Sequence, residues 1–299
     1  MTKLLITGAS GFLGKPIVRE LAALGEYNIY AVTSGRREVM FPDGINVLSA
    51  DLLDKEQSGR LIEDIKPDIM VHFAWDLAGS GYQNSDSNKL WLDESLFMLH
   101  TFINSGGKYF VFAGSRAEYG SFHGFREDGS TGDVSIYGQC KNSFHSAAIK
   151  LCEENGVDYT CLRIFTTLGC GMTPGLTAVS AAVAAFTAGE RFECKAPYNV
   201  WDFISVNDVA RAVCTIIKKQ YSGIVNIGSG IPYMMSDIFT KIAEKMNCEQ
   251  LLSIDYYNKE SDIIVADTDV LNNTIGYICK DEIDKIIDDI INEALGGSN

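Results

Sequence analysis

Short apolar runs alternate with longer stretches of helical periodicity along the first half of the chain. The runs that predict strands lie at residues 3–7, 28–33, 45–48, 68–73, 108–113 and 157–163. The apolar positions of the intervening stretches recur at helical spacing, over about 14–24, 54–65, 87–104 and 137–154. This alternation predicts an α/β fold of βαβ units with right-handed crossovers, and therefore a parallel sheet covered by helices. In such a sheet, ligands bind beyond the carboxyl ends of the strands.

The strict alternation is lost beyond about residue 166. The elements predicted there are helices at about 176–188, 206–219 and 236–247, short strands near 191–194 and 223–227, and an amphipathic helix over about 280–295. We therefore interpret residues 1–165 as a core domain to which residues 200–220 return. Residues 166–299 would mostly form a smaller lobe that covers the rim where the strands of the core end.

The composition and charge are those of a globular protein. Of the 299 residues, 46% are hydrophobic and 21% are charged. A net charge of -14 argues against a nucleic-acid partner, because no basic stripe offsets it, but it still allows an anionic small ligand. The most apolar late run, residues 178–186, is too short to span a bilayer, and the N-terminus lacks the basic region and cleavage site of a signal peptide. We expect a cytoplasmic protein with no membrane partner.

Neither the cysteines nor the histidines indicate a metal site. The eight cysteines are scattered along the chain without the spacing of a zinc site. Free thiols packed as small hydrophobic side chains account for them. His72, at the end of the fourth predicted strand, is interpreted as a core histidine with satisfied hydrogen bonds and not as a catalyst.

A glycine-rich stretch follows the first predicted strand and opens the first predicted helix. Gly8, Gly11 and Gly14 are spaced GxxGxxG, with Phe12 and Leu13 between the last two. Glycines allow a tight turn and a close approach of the backbone to a pyrophosphate, and the free N–H groups of the following helix face the phosphates. The context predicts a dinucleotide site at these five residues. A glycine-rich turn without a ligand is the alternative.

The end of the second predicted strand bears on which dinucleotide is bound. An acidic residue there would hydrogen-bond the ribose hydroxyls of NAD, but no carboxylate occurs between the end of this strand at Thr33 and Glu38. Ser34, Arg36 and Arg37 stand there instead, and arginine suits bidentate contact with a phosphate. We therefore favour NADP(H) over NAD(H), with two solvated loop arginines as the alternative. Asp51 and Leu52 follow strand three, where the acidic side chain could accept a hydrogen bond from the adenine amino group.

Tyr137 and Lys141 are four residues apart at the start of a predicted helix, so they share one helix face. A phenol has an ordinary pKa of about 10, which is too high for proton transfer near neutrality. A neighbouring ammonium lowers that pKa towards the useful range. The spacing alone is weak, because a solvated helix face would also produce it.

Several motifs occur together in a fixed order. They are Gly8, Gly11 and Gly14, Asp51-Leu52, His72-x-Ala74, Ser115-x-x-x-Tyr119-Gly120, Tyr137-x-x-x-Lys141, Arg163, and Trp201-Asp202-Phe203-Ile204. With this set the chain resembles the extended short-chain dehydrogenase/reductases, in the group that acts on nucleotide-diphosphate sugars, over about residues 1–245. The resemblance implies a Rossmann-type doubly wound parallel sheet and a small C-terminal lobe that grips the sugar nucleotide.

The resemblance also implies roles for individual residues. Tyr137 would be the general acid or base, and Lys141 would bind the nicotinamide ribose and lower the pKa of Tyr137. Ser115 would hydrogen-bond the reacting oxygen. The residues assigned to the nicotinamide surface are Ala74, Trp75 and the backbone near Phe165. Packing at the strand end is the alternative for Trp75.

Three positions depart from the family pattern. Relatives that dehydrate the sugar carry an Asp-Glu pair after the Ser/Thr, whereas this chain has Arg116 and Ala117, and Glu118 comes one place late, with its side chain expected to point elsewhere. Dehydration is therefore disfavoured. A usual Asn and a usual Arg are replaced by Thr166 and Trp201, which puts the diphosphate contacts in doubt. The residues expected to bind substrate are Ser115, Arg116, Thr166, Thr167, Lys195 (with Arg191 as a substitute) and Trp201.

Three functions remain open. The favoured one is NADPH-dependent reduction of a nucleotide-diphosphate 4-keto-6-deoxy (or 3,6-dideoxy) sugar at C4, with Tyr137 as proton donor. The first alternative is a nucleotide-sugar epimerase without net redox change, which usually retains NAD and should prefer an acidic residue after strand two. The second is a non-catalytic NAD(P)-binding sensor, which would be expected to have lost Tyr137 or Lys141. Helices 87–104 and 137–154 correspond to those that make dimers in relatives, so a homodimer is expected.

Overall fold

The computed structural model describes residues 1–36, 39–79, 81–120, 125–127 and 135–296. The strands in these ranges are β1 (Thr2–Thr7), β2 (Tyr27–Thr33), β3 (Asn46–Ser49), β4 (Ile69–His72), β5 (Tyr109–Ser115), β6 (Asp158–Ile164), β7 (Thr166–Leu168), β8 (Phe192–Cys194), β9 (Val200–Ser205), β10 (Gly223–Ile227), β11 (Pro232–Met234), β12 (Leu252–Ile254) and β13 (Ile263–Ile264). The α-helices are α1 (Gly14–Leu24), α2 (Lys55–Ile65), α3 (Ser87–Asn104), α4 (Ile136–Asn155), α5 (Ala178–Thr187), α6 (Val206–Lys219), α7 (Met235–Lys245) and α8 (Ile283–Ala294). Single turns of 3-10 helix lie at Tyr82–Asn84, Arg116–Tyr119 and Glu249–Leu251, and a π-helix lies at Val270–Thr274.

A seven-stranded parallel sheet, in the order β10-β6-β5-β4-β1-β2-β3, forms the core. Side chains of one strand alternate between its two faces. Leu4 and Ile6 of β1 pack with residues of α1 and α6, whereas Leu5 packs with residues of α2, α3 and α4. Both faces are therefore apolar and covered, which explains why the strands occur in the sequence as continuous apolar runs. The doubly wound α/β fold predicted from the sequence is confirmed.

A second layer of structure forms the lobe. Strand β9 is flanked by β11 and β13 and also pairs with β7, while β12 pairs with β8. Helices α5, α7 and α8 enclose a separate apolar cluster that includes Val183, Phe239 and Ile287. These residues, all after 166, thus form an apolar core separate from that of the central sheet.

The boundary between core and lobe differs from the prediction at two strands. Strand β10 falls in the range assigned to the lobe, but it completes the central sheet beside β6, because Val225 and Ile227 are fully buried there. Residues 200–220 were expected to return to the core together. Helix α6 does so by packing on α1, whereas β9 belongs to the lobe sheet.

A buried carboxylate ties the lobe to the core. Asp202 on β9 has no exposed surface and accepts hydrogen bonds from the backbone of Ser229, Gly230 and Ala266 and from the hydroxyl of Ser229. Ser229 and Gly230 follow shortly after β10, so this carboxylate joins the lobe sheet to the loop that leaves the core. It thereby fixes the position of its neighbour Trp201.

Two further expectations concern membranes and thiols. Among the described helices, none is both long and apolar enough to cross a membrane. All eight cysteines are free thiols. Helices α3 and α4 pack against each other, but the homodimer expected from them stays a prediction.

Candidate active site

The proposed catalytic residues meet at the carboxyl end of β5. Ser115 is its last residue, and Tyr137 and Lys141 lie in the first two turns of α4. The hydroxyl of Ser135 accepts the backbone N–H of Gly138 and so caps this helix at its start. A Cβ at Gly138 would lie 2.6 Å from the carbonyl oxygen of Ala117, so glycine allows α4 to approach the Ser115 turn closely.

Ser115 is held by the 3-10 turn that follows it. Its hydroxyl accepts the backbone N–H of Ala117 at 3.1 Å, and its own N–H donates to the carboxylate of Glu118 at 2.7 Å. The side chain of Ser115 also acts on the phenol of Tyr137, whose pKa it lowers. The resemblance implies that these two residues act together, and that role stays a prediction.

Tyr137 is buried and keeps its proton. Burial raises the pKa of its phenol well above the ordinary value, and the hydrogen bond from Ser115 opposes that rise only in part. Its ring makes edge contacts with Tyr82, at a centroid distance of 5.4 Å, and with Trp75, at 6.3 Å. A neutral phenol beside a serine hydroxyl is suited to donate a proton.

The ammonium of Lys141 lies near the Tyr137 ring and makes its hydrogen bond to the backbone. Its Nζ donates to the carbonyl oxygen of Ala113 at 2.8 Å and lies 5.6 Å from the centre of the Tyr137 ring, and its predicted effect on the pKa of Tyr137 stays a prediction. The ammonium also sits 3.7 Å from the centre of the Trp75 ring and 4.6 Å from that of Phe112. Burial among these groups lowers the pKa of Lys141 to about 7. Burial therefore has a larger effect than neighbouring charges on the pKa of both Tyr137 and Lys141.

Glu118 supports the Ser115 turn from a direction that sequence reasoning did not predict. It was expected to point away, yet it is fully buried and pairs with Arg163 of β6, with 3.1 Å between Oε2 and Nε. The guanidinium of Arg163 lies 4.4 Å from the centre of the Tyr119 ring, and the Tyr119 hydroxyl donates to Asn226. Burial raises the pKa of Glu118, while Arg163 and the N–H of Ser115 favour its charged form.

The glycine loop fits a dinucleotide phosphate. Gly8 has a φ of +68°, and a Cβ there would lie 2.8 Å from the backbone nitrogen of Ala74. A Cβ at Gly14 would lie 2.2 Å from the carbonyl oxygen of Gly8. Helix α1 starts with no hydrogen bond from a capping side chain and no acidic residue in its first turn, so its N-terminal N–H groups suit an anion. Phe12 and Leu13 lie partly buried in this loop.

One contact spans the cleft between core and lobe. The guanidinium of Arg116, directly after Ser115, lies 5.5 Å from the centre of the Trp201 ring on β9. Burial lowers the pKa of Arg116, on which Tyr82, Asp262 and Tyr137 also act electrostatically. Two predicted substrate residues are therefore in contact, one from each side.

Sequence comparison decides the family. The model of the NAD dependent epimerase/dehydratase family matches residues 4–228. The chain belongs to that family. The match confirms the resemblance to extended short-chain dehydrogenase/reductases and supports an enzyme of the nucleotide-sugar group.

Individual relatives of this family are distant. A UDP-glucose 4-epimerase of Lactobacillus helveticus is 24% identical over 97% of this chain and 94% of its own length. A GDP-6-deoxy-D-talose 4-dehydrogenase of Aggregatibacter actinomycetemcomitans is 27% identical over 92% of this chain and 91% of its own. The solved UDP-glucose 4-epimerase of Thermus thermophilus, in complex with NAD, superposes with a TM-score of 0.85 at 21% identity, over 99% of this chain and 100% of its own. This last likeness shows the fold.

Most of the described residues that we predict to contact the adenosine part of the cofactor are exposed. Ser34 and Arg36 are exposed after β2, and Arg37 lies outside the described residues. Asp51 is exposed and accepts the backbone N–H of Leu53 at 3.0 Å, while Leu52 is buried. The roles predicted for these residues stay predictions.

The remaining substrate residues differ in placement. Thr166 and Thr167 lie on β7, and the Thr167 hydroxyl donates to the carbonyl oxygen of Phe165. Lys195 is 80% exposed, with its ammonium 3.8 Å from Glu193, and within the described ranges no contact joins it to the catalytic residues. Arg191 is exposed too. The structure therefore favours Arg116 over these two cations as the one that faces the cleft.

Residues near the end of β4 serve packing as well as the site. His72 hydrogen-bonds Thr7 at 2.7 Å and Ser95 at 2.9 Å, and burial lowers its pKa to about 3, so it is a neutral core histidine as interpreted. Trp75 donates its Nε1–H to Asn88 at 2.8 Å while its ring covers Lys141. Trp75 thus both packs and borders the site.

Proposed function

We propose that this enzyme reduces a nucleotide-diphosphate 4-keto-6-deoxy (or 3,6-dideoxy) sugar at C4, with NADPH as the favoured cofactor. The observation that carries the proposal is the buried phenol of Tyr137 at the start of α4, with a pKa raised by burial and opposed by the neighbouring Ser115 side chain. The positions where dehydrating relatives carry Asp and Glu hold Arg116 and Ala117. No carboxylate pair is therefore available at those positions to move protons at C5 and C6, whereas a proton donor for an oxygen at C4 is available.

Each catalytic residue has one task in this reaction. A bound nicotinamide cofactor supplies the hydride. The phenol of Tyr137 donates its proton to the C4 oxygen, which gains negative charge when hydride adds to C4. The hydroxyl of Ser115 stabilises the same oxygen by a hydrogen bond. The ammonium of Lys141 lies close enough to the Tyr137 ring to favour the phenolate that is left.

The names of two relatives support oxidoreduction at C4. Both are 4-dehydrogenases of Aggregatibacter actinomycetemcomitans, one for GDP-6-deoxy-D-talose and one for dTDP-6-deoxy-L-talose with NAD(+). Oxidation at C4 of a 6-deoxy sugar is the reverse of the proposed reduction, so the same residues would serve both directions. The nucleotide stays open, because one relative is named for GDP and the other for dTDP.

An epimerase is the second candidate. It is favoured by the Lactobacillus helveticus relative, which is named as a UDP-glucose 4-epimerase and matches 97% of this chain. Several solved neighbours carry NAD, which also suits an enzyme that regenerates its cofactor. The exposed Arg36 after β2, in place of a carboxylate, is the observation that favours NADPH.

Hydride transfer separates the two candidates. Purified protein is mixed with NADPH or NADH and with 4-keto-6-deoxy sugars carried on CDP, dTDP, GDP or UDP. Loss of the absorbance of the reduced nicotinamide, with formation of a C4 alcohol, supports the reductase, and Tyr137→Phe is the matched control. If the protein instead interconverts UDP-glucose and UDP-galactose with no net oxidation of cofactor, the reductase proposal is wrong.

A further inference from the structure

Arg116 is a partly buried cation without a carboxylate at ion-pair distance among the residues that the structure describes. Its guanidinium lies on the face of Trp201, 5.5 Å from the ring centre. Asp262 acts on it only through longer-range electrostatics. Buried arginines in proteins are normally paired with an anion. An aromatic face compensates such a charge only in part.

Trp201 offers a second donor without an acceptor. Its indole Nε1–H is buried and has no hydrogen-bond partner in the described part of the chain. Such groups are rare, because leaving a buried donor unsatisfied costs free energy. The backbone of Trp201 is held in place, since it pairs with Tyr233 and Ile264 within the lobe sheet and adjoins the anchored Asp202.

Arg116 lies beside the candidate catalytic residues, and Trp201 lies beside Arg116. Arg116 directly follows Ser115, and Tyr137 and Tyr82 both act electrostatically on its guanidinium. Arg116 comes from the core and Trp201 from the lobe, so a group bound by both would sit in the cleft between them. A group that accepts from both donors and neutralises the cation carries negatively charged oxygens.

We infer that Arg116 and Trp201 form an oxyanion receptor that binds a charged group of the substrate between the core and the lobe. The inference rests on the proposed function, in that the substrate is a nucleotide-diphosphate sugar. Two parts of nucleotide-diphosphate sugars have the required chemistry, namely the phosphate nearest the sugar and a carboxylate on the sugar ring. A 6-deoxy sugar has no carboxylate at C6, so binding of that carboxylate would count against the proposed 6-deoxy substrate. Planar bidentate donation by Arg116 suits either oxyanion, and the indole N–H supplies a further hydrogen bond.

Three substitutions test the receptor. Arg116→Gln removes the charge, Arg116→Lys keeps it without the planar fork, and Trp201→Phe keeps an aromatic face without the N–H donor. Arg60→Gln is the control, because it removes an arginine from an exposed pair with Glu56 on α2. Affinities are measured by calorimetry on protein saturated with NADPH, and unfolding temperatures without ligand show that each variant folds.

The probes distinguish the two sources of the oxyanion. If the group is a phosphate, Arg116→Gln weakens binding of a nucleoside diphosphate (ADP, CDP, GDP, dTDP or UDP) by about 10- to 100-fold and leaves the monophosphate unchanged. If the group is a carboxylate, diphosphate affinity is unchanged and UDP-glucuronic acid loses its advantage over UDP-glucose. Trp201→Phe should show a smaller loss in the same probe, and Arg116→Lys should recover part of the affinity.

Inorganic pyrophosphate makes the test independent of the base. It should raise the unfolding temperature of the wild type and of Arg60→Gln by more than that of Arg116→Gln. The inference is wrong if no probe, pyrophosphate included, separates Arg116→Gln from the wild type and from Arg60→Gln. An Arg116-dependent pyrophosphate effect without hydride transfer to any keto sugar would overturn the proposed function and leave the receptor standing.

Discussion

Glu118 and Arg163 form a buried ion pair, 3.1 Å between Oε2 and Nε, directly behind the serine that contacts Tyr137. The Oε1 atom of the same carboxylate accepts the backbone N–H of Ser115 at 2.7 Å. A charged pair between the turn after β5 and strand β6 therefore supports the backbone of a proposed catalytic residue. Both partners are buried away from water. Removing Glu118 would therefore leave the charge of Arg163 uncompensated and the N–H of Ser115 without its acceptor, and removing Arg163 would leave the charge of Glu118 uncompensated.

Glu118→Gln should destabilise the fold strongly. It leaves the buried guanidinium of Arg163 without its carboxylate, and we expect the free energy of unfolding to fall by about 3–5 kcal/mol in urea titrations. The double variant Glu118→Gln/Arg163→Gln should recover much of that loss. Glu56→Gln, in the exposed pair with Arg60, should unfold like the wild type. Wild-type stability of Glu118→Gln would mean that the pair is dispensable.

Tyr137→Phe should abolish the proton donor and little else. The ring keeps its edge contacts with Tyr82 and Trp75, so folding and cofactor affinity should stay near wild type. Steady-state kinetics should show kcat reduced by about 100- to 10,000-fold. A variant that keeps wild-type kcat would exclude Tyr137 as the acid.

Acid should destabilise the protein partly through His72. The pKa of His72 is about 3 in the fold because the ring is buried, against 6.5 ordinarily. The unfolded chain therefore binds the extra proton first, so stability is fully present above about pH 6.5 and is lost as pH falls towards 3. Between about pH 6.5 and 5 this amounts to roughly 2 kcal/mol.

The comparison of His72→Gln with His100→Gln checks this assignment. His72→Gln should flatten the dependence of the unfolding free energy on pH between about pH 6.5 and 5. His100→Gln removes an exposed histidine and should leave that pH dependence unchanged. Equal slopes in wild type and both variants would show that His72 is not the group responsible.

Gly14→Ala should damage the cofactor loop. The added methyl would meet the carbonyl oxygen of Gly8 at 2.2 Å, so the loop must move, at a cost of about 1–3 kcal/mol. We expect weaker binding of the dinucleotide, measured by fluorescence of the reduced nicotinamide. Gly81→Ala is the control, because a Cβ there meets no atom within 4 Å. Unchanged cofactor affinity in Gly14→Ala would argue against this loop as the phosphate site.

Arg36→Gln tests the choice of cofactor. If Arg36 holds the 2′-phosphate, the KM for NADPH should rise about tenfold while that for NADH changes little. The ratio of kcat/KM for the two cofactors, in wild type and variant, is the measurement. A wild type that already prefers NADH would refute the preference for NADP(H).

The pattern of the sequence predicted the elements better than their partners. Helix α6 and strand β10 lie where periodicity placed them, because a helix or strand is set by its own residues. Strand β10 was nevertheless assigned to the lobe, since its pairing with β6 depends on residues far away in the chain. Strand β9 escaped prediction because a buried Asp202 interrupts its apolar run.

The candidate site shows the same division. Motifs with known spacing were enough to propose Tyr137, Lys141 and Ser115, which the structure places at the end of β5 and the start of α4. The inward direction of Glu118 did not, because the 3-10 turn at Arg116–Tyr119 replaces the strand alternation on which the expectation relied. The aromatic surroundings of Lys141 and the contact of Arg116 with Trp201 also come from distant segments that no local pattern joins.

The carboxylate of Asp202 has a consequence for how the enzyme admits its ligand. Its acceptor oxygens engage Ser229, Gly230 and Ala266 at once, with no exposed surface left to water. Any movement of β9 relative to these two loops would have to break these bonds together. We therefore expect the part of the lobe that carries Trp201 to keep its place when a ligand binds.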